Sequence, residues 1–278
     1  MKLKIYGCRG SVPIAHSPAS VYGGNTSCIV IESMGYTFVL DAGSGLSQYE
    51  ADLRTQSPSY MSEINAPVDI LLSHLHLDHI IGLTTFSPIW GSSAGARIFT
   101  CLRGKGSLKE QVFGAFVPPY WPCSMVEEAN VSCIPIMAED PLVLGPLTIT
   151  PFGAVHPDAT LSFHITDGKS TLVHLLDSET GLMAKKDYSQ LIEYCRDADL
   201  VVFDAAYSPE DYPEKKGWGH STIEDGFKLA GLSDCKNMLF SHFSFEYSDE
   251  ALAALEARVK VMGSHFRFAR DGLEIDLV

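Results

Sequence analysis

The stretch LLSHLHLDHIIG, residues 71–82, packs His74, His76, Asp78 and His79 into six positions straight after an apolar run. In a turn just past the strand-like VDILLS, His74 and His76 lie two apart and can point the same way. The chain then bends into HIIGLTTF, so Asp78 and His79 sit across the bend and cannot easily reach the same ion. The pattern offers imidazoles to one cation and a carboxylate plus an imidazole to its neighbour. Such donors suit zinc, and also manganese or iron. A merely solvated polar turn would not need three histidines and an aspartate crowded against an apolar strand.

Four ligands cannot close two coordination spheres, so distant residues must complete them. His156 in PFGAVHPDA, Asp177 in LVHLLDSET and His242 in NMLFSHFS each stand where a strand-like run stops. Strand ends form the rim on which layered folds build sites. A carboxylate shared by two ions would hold them about 3.5–4 Å apart, the spacing of two-metal hydrolases. Asp177 is the natural candidate for that bridge.

Outward from the motif, β-branched and aromatic runs bounded by Gly, Asn, Pro or Asp predict strands. They lie at 2–6, 27–33, 36–41, 68–73, 96–101, 131–136, 147–155, 160–166, 170–177, 199–205 and 237–242. FRFARDGLEIDL reads as a closing hairpin turning at Asp271-Gly272. Helical periodicity marks Leu46–Arg54, Lys105–Phe113, Ala184–Cys195, Thr222–Leu232 and Asp249–Val261. Ser221 or Thr222 with Glu224 and Asp225 behind it makes a helix start, and Gly231 a stop. PPYWPC (118–123) is too proline-rich for either element and reads as a surface loop. Strands followed by helices, twice over, predict an α/β fold of two mixed sheets face to face with helices outside. The 278 residues are expected to form one domain of two similar halves, residues 1–278.

Lys plus Arg against Asp plus Glu gives 20 − 34 = −14. Attraction to a large nucleic acid or an anionic membrane needs the opposite field, so neither partner is expected. A small anionic substrate is compatible, because metal ions reverse the field locally. The seven cysteines include no C-x-x-C pair and read as free thiols packed as small hydrophobes. MKLKIYGCRGS lacks the apolar stretch of a signal peptide, and no later run could span a bilayer. The cytoplasm is the expected location.

HLHLDH followed by His156, Asp177 and His242 resembles the metallo-β-lactamase fold superfamily, with its H-x-H-x-D-H signature and later His, Asp and His. The likeness runs through nearly the whole chain, since the opening strands ending in LDAGSG also resemble that superfamily's first half. It implies a four-layer αββα sandwich with a dinuclear site at one edge. His74, His76 and His156 would hold one divalent ion, and Asp78, His79 and His242 the other, with Asp177 between. Zinc is the expected metal and manganese the alternative. The two ions would generate hydroxide near neutral pH and stabilise developing charge.

Within that superfamily, Asp177 stands where penicillin-binding class B lactamases usually have Cys, which argues against an antibiotic-degrading enzyme. KGWGHSTIEDGFKLA (216–230) resembles the GHST-type segment of RNase Z and related phosphodiesterases. There the histidine is placed to donate a proton to the leaving oxygen, a role that falls here to His220. GCRGSVP (7–13) and YGGNTSC (22–28) resemble RNase Z-like and cyclic-nucleotide-phosphodiesterase-like hydrolases. RNase Z itself normally carries a long basic arm, and RGKGSLK (103–109) is too short to be one.

The expected function is therefore hydrolysis of a small cyclic or linear phosphodiester, with Asp78 and His220 as the catalytic residues. Asp78 would orient the nucleophile while it ligates. A carboxylic ester, lactone or thioester hydrolase on the same metals is the alternative. An iron-dependent redox protein and a non-catalytic binding module are weaker rivals. A homodimer, common among such hydrolases, stays open. His220 could instead simply pack on Trp218, and Asp204 could orient His220 or serve as a plain turn carboxylate. Asp41 in LDAGSG is expected to tether the metal loop through hydrogen bonds. Tyr120 and Trp121 could lid the cleft or simply pack. His16, His164 and His265 read as structural. So does His174, which strand alternation places on the face opposite Asp177.

Overall fold

The computed structural model describes residues 1–15, 21–91 and 93–277, so His16 lies outside the described residues. Strands run in chain order as β1 (Lys2–Gly7), β2 (Cys28–Ser33), β3 (Tyr36–Leu40), β4 (Val68–Leu71), β5 (Ala96–Thr100), β6 (Val131–Pro135) and β7 (Leu142–Leu144). Then come β8 (Leu147–Gly153), β9 (Leu161–Thr166), β10 (Thr171–Leu175), β11 (Leu200–Asp204), β12 (Met238–Ser241), β13 (Phe266–Phe268) and β14 (Glu274–Asp276). They assemble into two seven-stranded sheets, β14-β1-β2-β3-β4-β5-β6 and β13-β12-β11-β10-β9-β8-β7. In the first, pairing is antiparallel from β14 through β3 and parallel from β3 to β6. The second repeats the scheme, parallel from β13 to β10 and antiparallel from β10 to β7. The predicted α/β sandwich of two similar halves is what forms.

Strand alternation separates two apolar cores. Ile29, Ile31, Phe38, Leu40 and Leu71 point to the partner sheet, where Phe163, Ile165, Val173 and Leu175 meet them. Cys28, Val30, Val39, Ile70 and Ile98 point the other way, under the helix Gly45–Gln56 and its neighbours. With apolar cover on both faces, central strands such as LVVFD are buried at every residue. On the far side of the second sheet, the helix Ile223–Ser233 starts with a capping box between Thr222 and Asp225. It lies close enough that a Cβ on Gly226 would strike the Phe240 ring. Phe240 is fully buried among Phe203, Phe227, Phe266 and Phe268. Phe240→Ala is expected to cost about 3–5 kcal/mol, read from denaturant unfolding, because the four surrounding rings cannot collapse into the void.

Three expectations are corrected. The terminal hairpin does not form: β13 joins the second sheet and β14 the first. The segment between them crosses over, with Ala269 N–H donating to Phe240 O at 2.8 Å and Gly272 N–H to Ile5 O at 2.7 Å. The turn at Asp271-Gly272 does form, with Leu273 N–H donating to Arg270 O at 3.0 Å, but the Asp271 carboxylate accepts from Gly24 and Asn25 N–H and the two strands diverge from it. The helix past Thr222 runs through Gly231 to Ser233 and ends at Asp234 in the left-handed conformation, so Gly231 is no stop. Finally, β7 was not expected; its three residues are too short to show a period. Trp121 packs on Phe116, as ordinary packing would have it, while Tyr120 is exposed. No helix among the described residues is long and apolar enough to cross a membrane.

Candidate metal centre

The loops after β3, β4, β8, β10, β11 and β12 meet at one edge of the sandwich. Each supplies a chemistry-bearing side chain: Asp41, the His74–His79 turn, His156, Asp177, His220 with Asp204, and His242. Three of these residues turn the chain sharply as their strands end, with φ of 59° at Asp41, 52° at Asp177 and 64° at His242. None is glycine, so the local backbone is strained at the site.

Three side chains converge in each of two sets that could hold an ion: His74, His76 and His156, and beside them Asp78, His79 and His242. Asp177 is buried between the sets, and its two oxygens divide between them. Oδ1 lies 3.8 Å from His74 Nε2 and 3.9 Å from His156 Nε2. Oδ2 lies 3.1 Å from His79 Nε2 and 3.3 Å from His242 Nδ1. His76 Nδ1 and His156 Nε2 are 3.2 Å apart. Two nitrogens at zinc-bond length on a tetrahedron would be separated by about 3.3 Å, so the spacing accommodates a cation.

Hydrogen bonding gives the same reading. His74 Nε2, His79 Nε2, both ring nitrogens of His242 and Asp177 Oδ2 are buried without a hydrogen-bond partner. Each such orphan costs about 1–3 kcal/mol, and a cluster of them is foreign to protein interiors unless an ion satisfies it. Outside His242, ring nitrogens on the other side are committed. His156 Nδ1–H donates to Gly219 O at 3.1 Å, and His74 Nδ1 meets Ser73 Oγ at 3.0 Å. His79 Nδ1 lies 2.9 Å from Asp41 Oδ2, while Asp41 also accepts from Ser73 N–H. Asp41 therefore tethers the loop, as expected from the sequence. Ring nitrogens fixed in this way leave the others free to ligate.

Burial pulls the His74, His76 and His156 imidazoles below the ordinary histidine range, which keeps them in the neutral, ligating form. Burial opposes charge on His79 as well, yet Asp177, Asp41 and Asp78 outweigh it and push that pKa well up. This half of the site demands positive charge. Ser11 N–H, at φ 66°, donates to Asp78 Oδ2 at 2.7 Å and so orients it.

His220 faces the same centre. Its Nδ1–H donates to Asp204 Oδ2 at 2.8 Å, and Asp204 is wholly buried. Asp204 fills both expected roles, since its Oδ1 accepts from Ala206 N–H at 3.0 Å in the turn that follows while Oδ2 holds His220. Trp218 is exposed, so His220 is not explained by packing on it; the Tyr207 ring lies 5.6 Å away instead. Ser11, His76, Leu77, Asp78, Asp177 and His220 line an open cavity of about 370 Å³ above the metal sets.

All eight residues singled out from the sequence meet here. His174 keeps its structural reading but lies nearer the site than strand alternation implied. It is fully buried with Nε2 3.8 Å from Asp41 Oδ2, directly beneath the site. β10 ends at Leu175, so alternation no longer applies by Asp177. Sequence reasoning missed Ser11 and Glu179, whose roles arise from contacts distant in the chain. It also missed Gly219, which stands at φ 91° where a Cβ would overlap His156 Nδ1 and Pro157. Gly219→Ala is expected to displace the His156 ring and to lower stability by about 1–3 kcal/mol, measured by denaturant unfolding.

This chain belongs to the beta-lactamase superfamily: residues 36–243 match the model of the Beta-lactamase superfamily domain. Among similar proteins, the probable metallo-hydrolase YhfI of Bacillus subtilis is 26% identical, over 87% of this chain and 86% of its own length. A ribonuclease Z of Bradyrhizobium diazoefficiens is 22% identical over 92% of this chain and 94% of its own. The crystal structure of Bacillus subtilis YhfI, a metallo-β-lactamase fold protein, matches with a TM-score of 0.72 at 22% identity, covering 99% of this chain and 98% of that one. A diphosphatase of the PhnP family matches with a TM-score of 0.65 at 15% identity, over 100% of this chain and 98% of that one. The resemblance carried by HLHLDH thus holds for family and fold.

Proposed function

We propose that the chain is a metal-dependent hydrolase with a dinuclear site, acting on a small cyclic or linear phosphodiester. The observation that carries this reading is the division of the Asp177 oxygens between two convergent ligand sets. In the proposal His74, His76 and His156 hold one ion, Asp78, His79 and His242 the other, and Asp177 both. When bound, two divalent ions, zinc first and manganese as the alternative, would lower the pKa of water, polarise the phosphoryl group and absorb developing charge.

The protein's own groups supply orientation and a proton. Ser11 N–H fixes the Asp78 carboxylate, which orients the attacking nucleophile. His220, its Nδ1–H held by Asp204, presents Nε2 to the leaving oxygen and protonates it. An alkoxide leaves poorly without that proton, so a placed imidazolium favours phosphodiesters over esters with good leaving groups. Similarity to ribonuclease Z and to a diphosphatase supports the phosphoryl chemistry. The net charge of −14 weighs against a large nucleic acid. The proposal places one domain over residues 1–278, in keeping with the pairing of β14 on β1. It also places the protein in the cytoplasm, where its seven free cysteines would stay reduced.

The test is an assay of metal-loaded and chelated protein on bis-p-nitrophenyl phosphate, cyclic nucleotides, lactones and thioesters. Metal-dependent turnover of phosphodiesters is expected to dominate. Faster turnover of lactones or thioesters would transfer the site to the alternative class. A strong visible absorption from bound iron would point to redox chemistry.

A further inference from the structure

We infer that Glu179 is a positioning residue that fixes the loop 217–220 and, through it, the rings of His156 and His220; this rests on reading His156 as a metal ligand. Glu179 is 1% exposed. Its carboxylate accepts from Gly217 N–H at 2.8 and 3.0 Å, from Gly219 N–H at 2.9 Å and from the Tyr212 hydroxyl at 2.7 Å. All these donors are neutral. A carboxylate buried among neutral donors is costly compared with a well-packed apolar side chain, so the fold retains it for what it arranges.

What it arranges is the far side of the metal set. Gly217 and Gly219 both adopt positive φ, 89° and 91°, and both direct their N–H groups at this one carboxylate. With its N–H so held, Gly219 turns its carbonyl to accept from His156 Nδ1. The next residue is His220, already anchored on Asp204. From the other direction, Glu179 N–H donates to Val155 O at 2.8 Å, on the residue that precedes His156. Glu179 therefore grips His156 from both sides, two positions along from Asp177. The ion shared by His74, His76 and His156 depends on this grip. Among the described residues, Asp78, His79 and His242 make no hydrogen bond to residues 217–219, so the ligands of the other ion are not held by this loop.

The experiment titrates the full chain with cobalt(II), comparing the unaltered protein with Glu179→Gln by visible absorption and by competition with a chelator. The amide offers one acceptor oxygen and brings two N–H donors against donors already there. One of the two cobalt equivalents is expected to weaken by about 10–100-fold with altered absorption bands, while the other keeps its affinity and spectrum. Two unchanged equivalents, or two weakened alike, would overturn the inference. An unaltered chain that binds no cobalt sinks the metal reading, and this inference with it. Should Glu179→Gln fail to fold, Tyr212→Phe removes a single donor from the same carboxylate. A few-fold loss confined to the same equivalent is then expected, and a loss in neither or in both overturns the inference.

Discussion

Asp177→Asn is expected to give a folded chain that no longer holds two cations and that hydrolyses phosphodiesters on the order of 10³-fold more slowly, or worse. The substitution is chosen for its backbone. Asn is among the few residues that tolerate left-handed φ, so the 52° at this position need not change. The chemistry changes completely. One oxygen becomes an NH₂ group aimed at imidazole nitrogens, and the negative charge buried between the two ligand sets disappears. Several kcal/mol of charge stabilisation is the usual share of metal ions in such reactions, and each 1.4 kcal/mol is a factor of ten in rate. Metal analysis after dialysis, beside circular dichroism to verify folding, checks the result. Two tight equivalents in Asp177→Asn would show that this carboxylate is not the bridge.

His220→Ala is expected to separate substrates by leaving group. With an alkoxide departing, the loss should reach about 10²–10⁴-fold, the range for a removed general acid. With p-nitrophenolate, which leaves unaided, it should be far smaller. The pH profile carries an independent sign. Burial lowers the His220 pKa, but Asp204, Asp177 and Asp78 more than reverse this and raise it to about 9. The acid form is the active one, so the rate falls as pH rises through that value, or through a lower one when cations share the site. Asp204→Asn removes the principal raising partner and should move the falling limb to lower pH. Equal losses for both leaving groups, or an unmoved limb, would deny His220 its role.

The donor cluster of the His74–His79 turn was legible because its donors are adjacent in sequence and follow an apolar strand. Its distant partners were legible because each ends such a strand, and strand ends collect at one rim. The β-branched and aromatic runs between turn-forming residues placed most strands within a residue or two. What escaped was tertiary. The closing segment has the composition of a hairpin, yet Asp271 and the Phe240 and Ile5 carbonyls draw it across two sheets. Glu179 looks like any polar residue in LLDSET; only the fold brings Gly217, Gly219 and Tyr212 to it. Ser11 acts through a backbone N–H, which no side chain announces. That His174 lies near the site was missed because alternation was carried past the last paired residue of β10.

Asp41, Asp177 and His242 all hold the left-handed backbone that glycine accepts freely. Selection for thermal robustness alone would favour Gly at each of the three, relieving about 1 kcal/mol or more per position. The same exchanges would strip the centre of two carboxylates and an imidazole. A heat-hardened lineage of this protein, screened without an activity assay, should therefore drift toward a sturdier and inert scaffold.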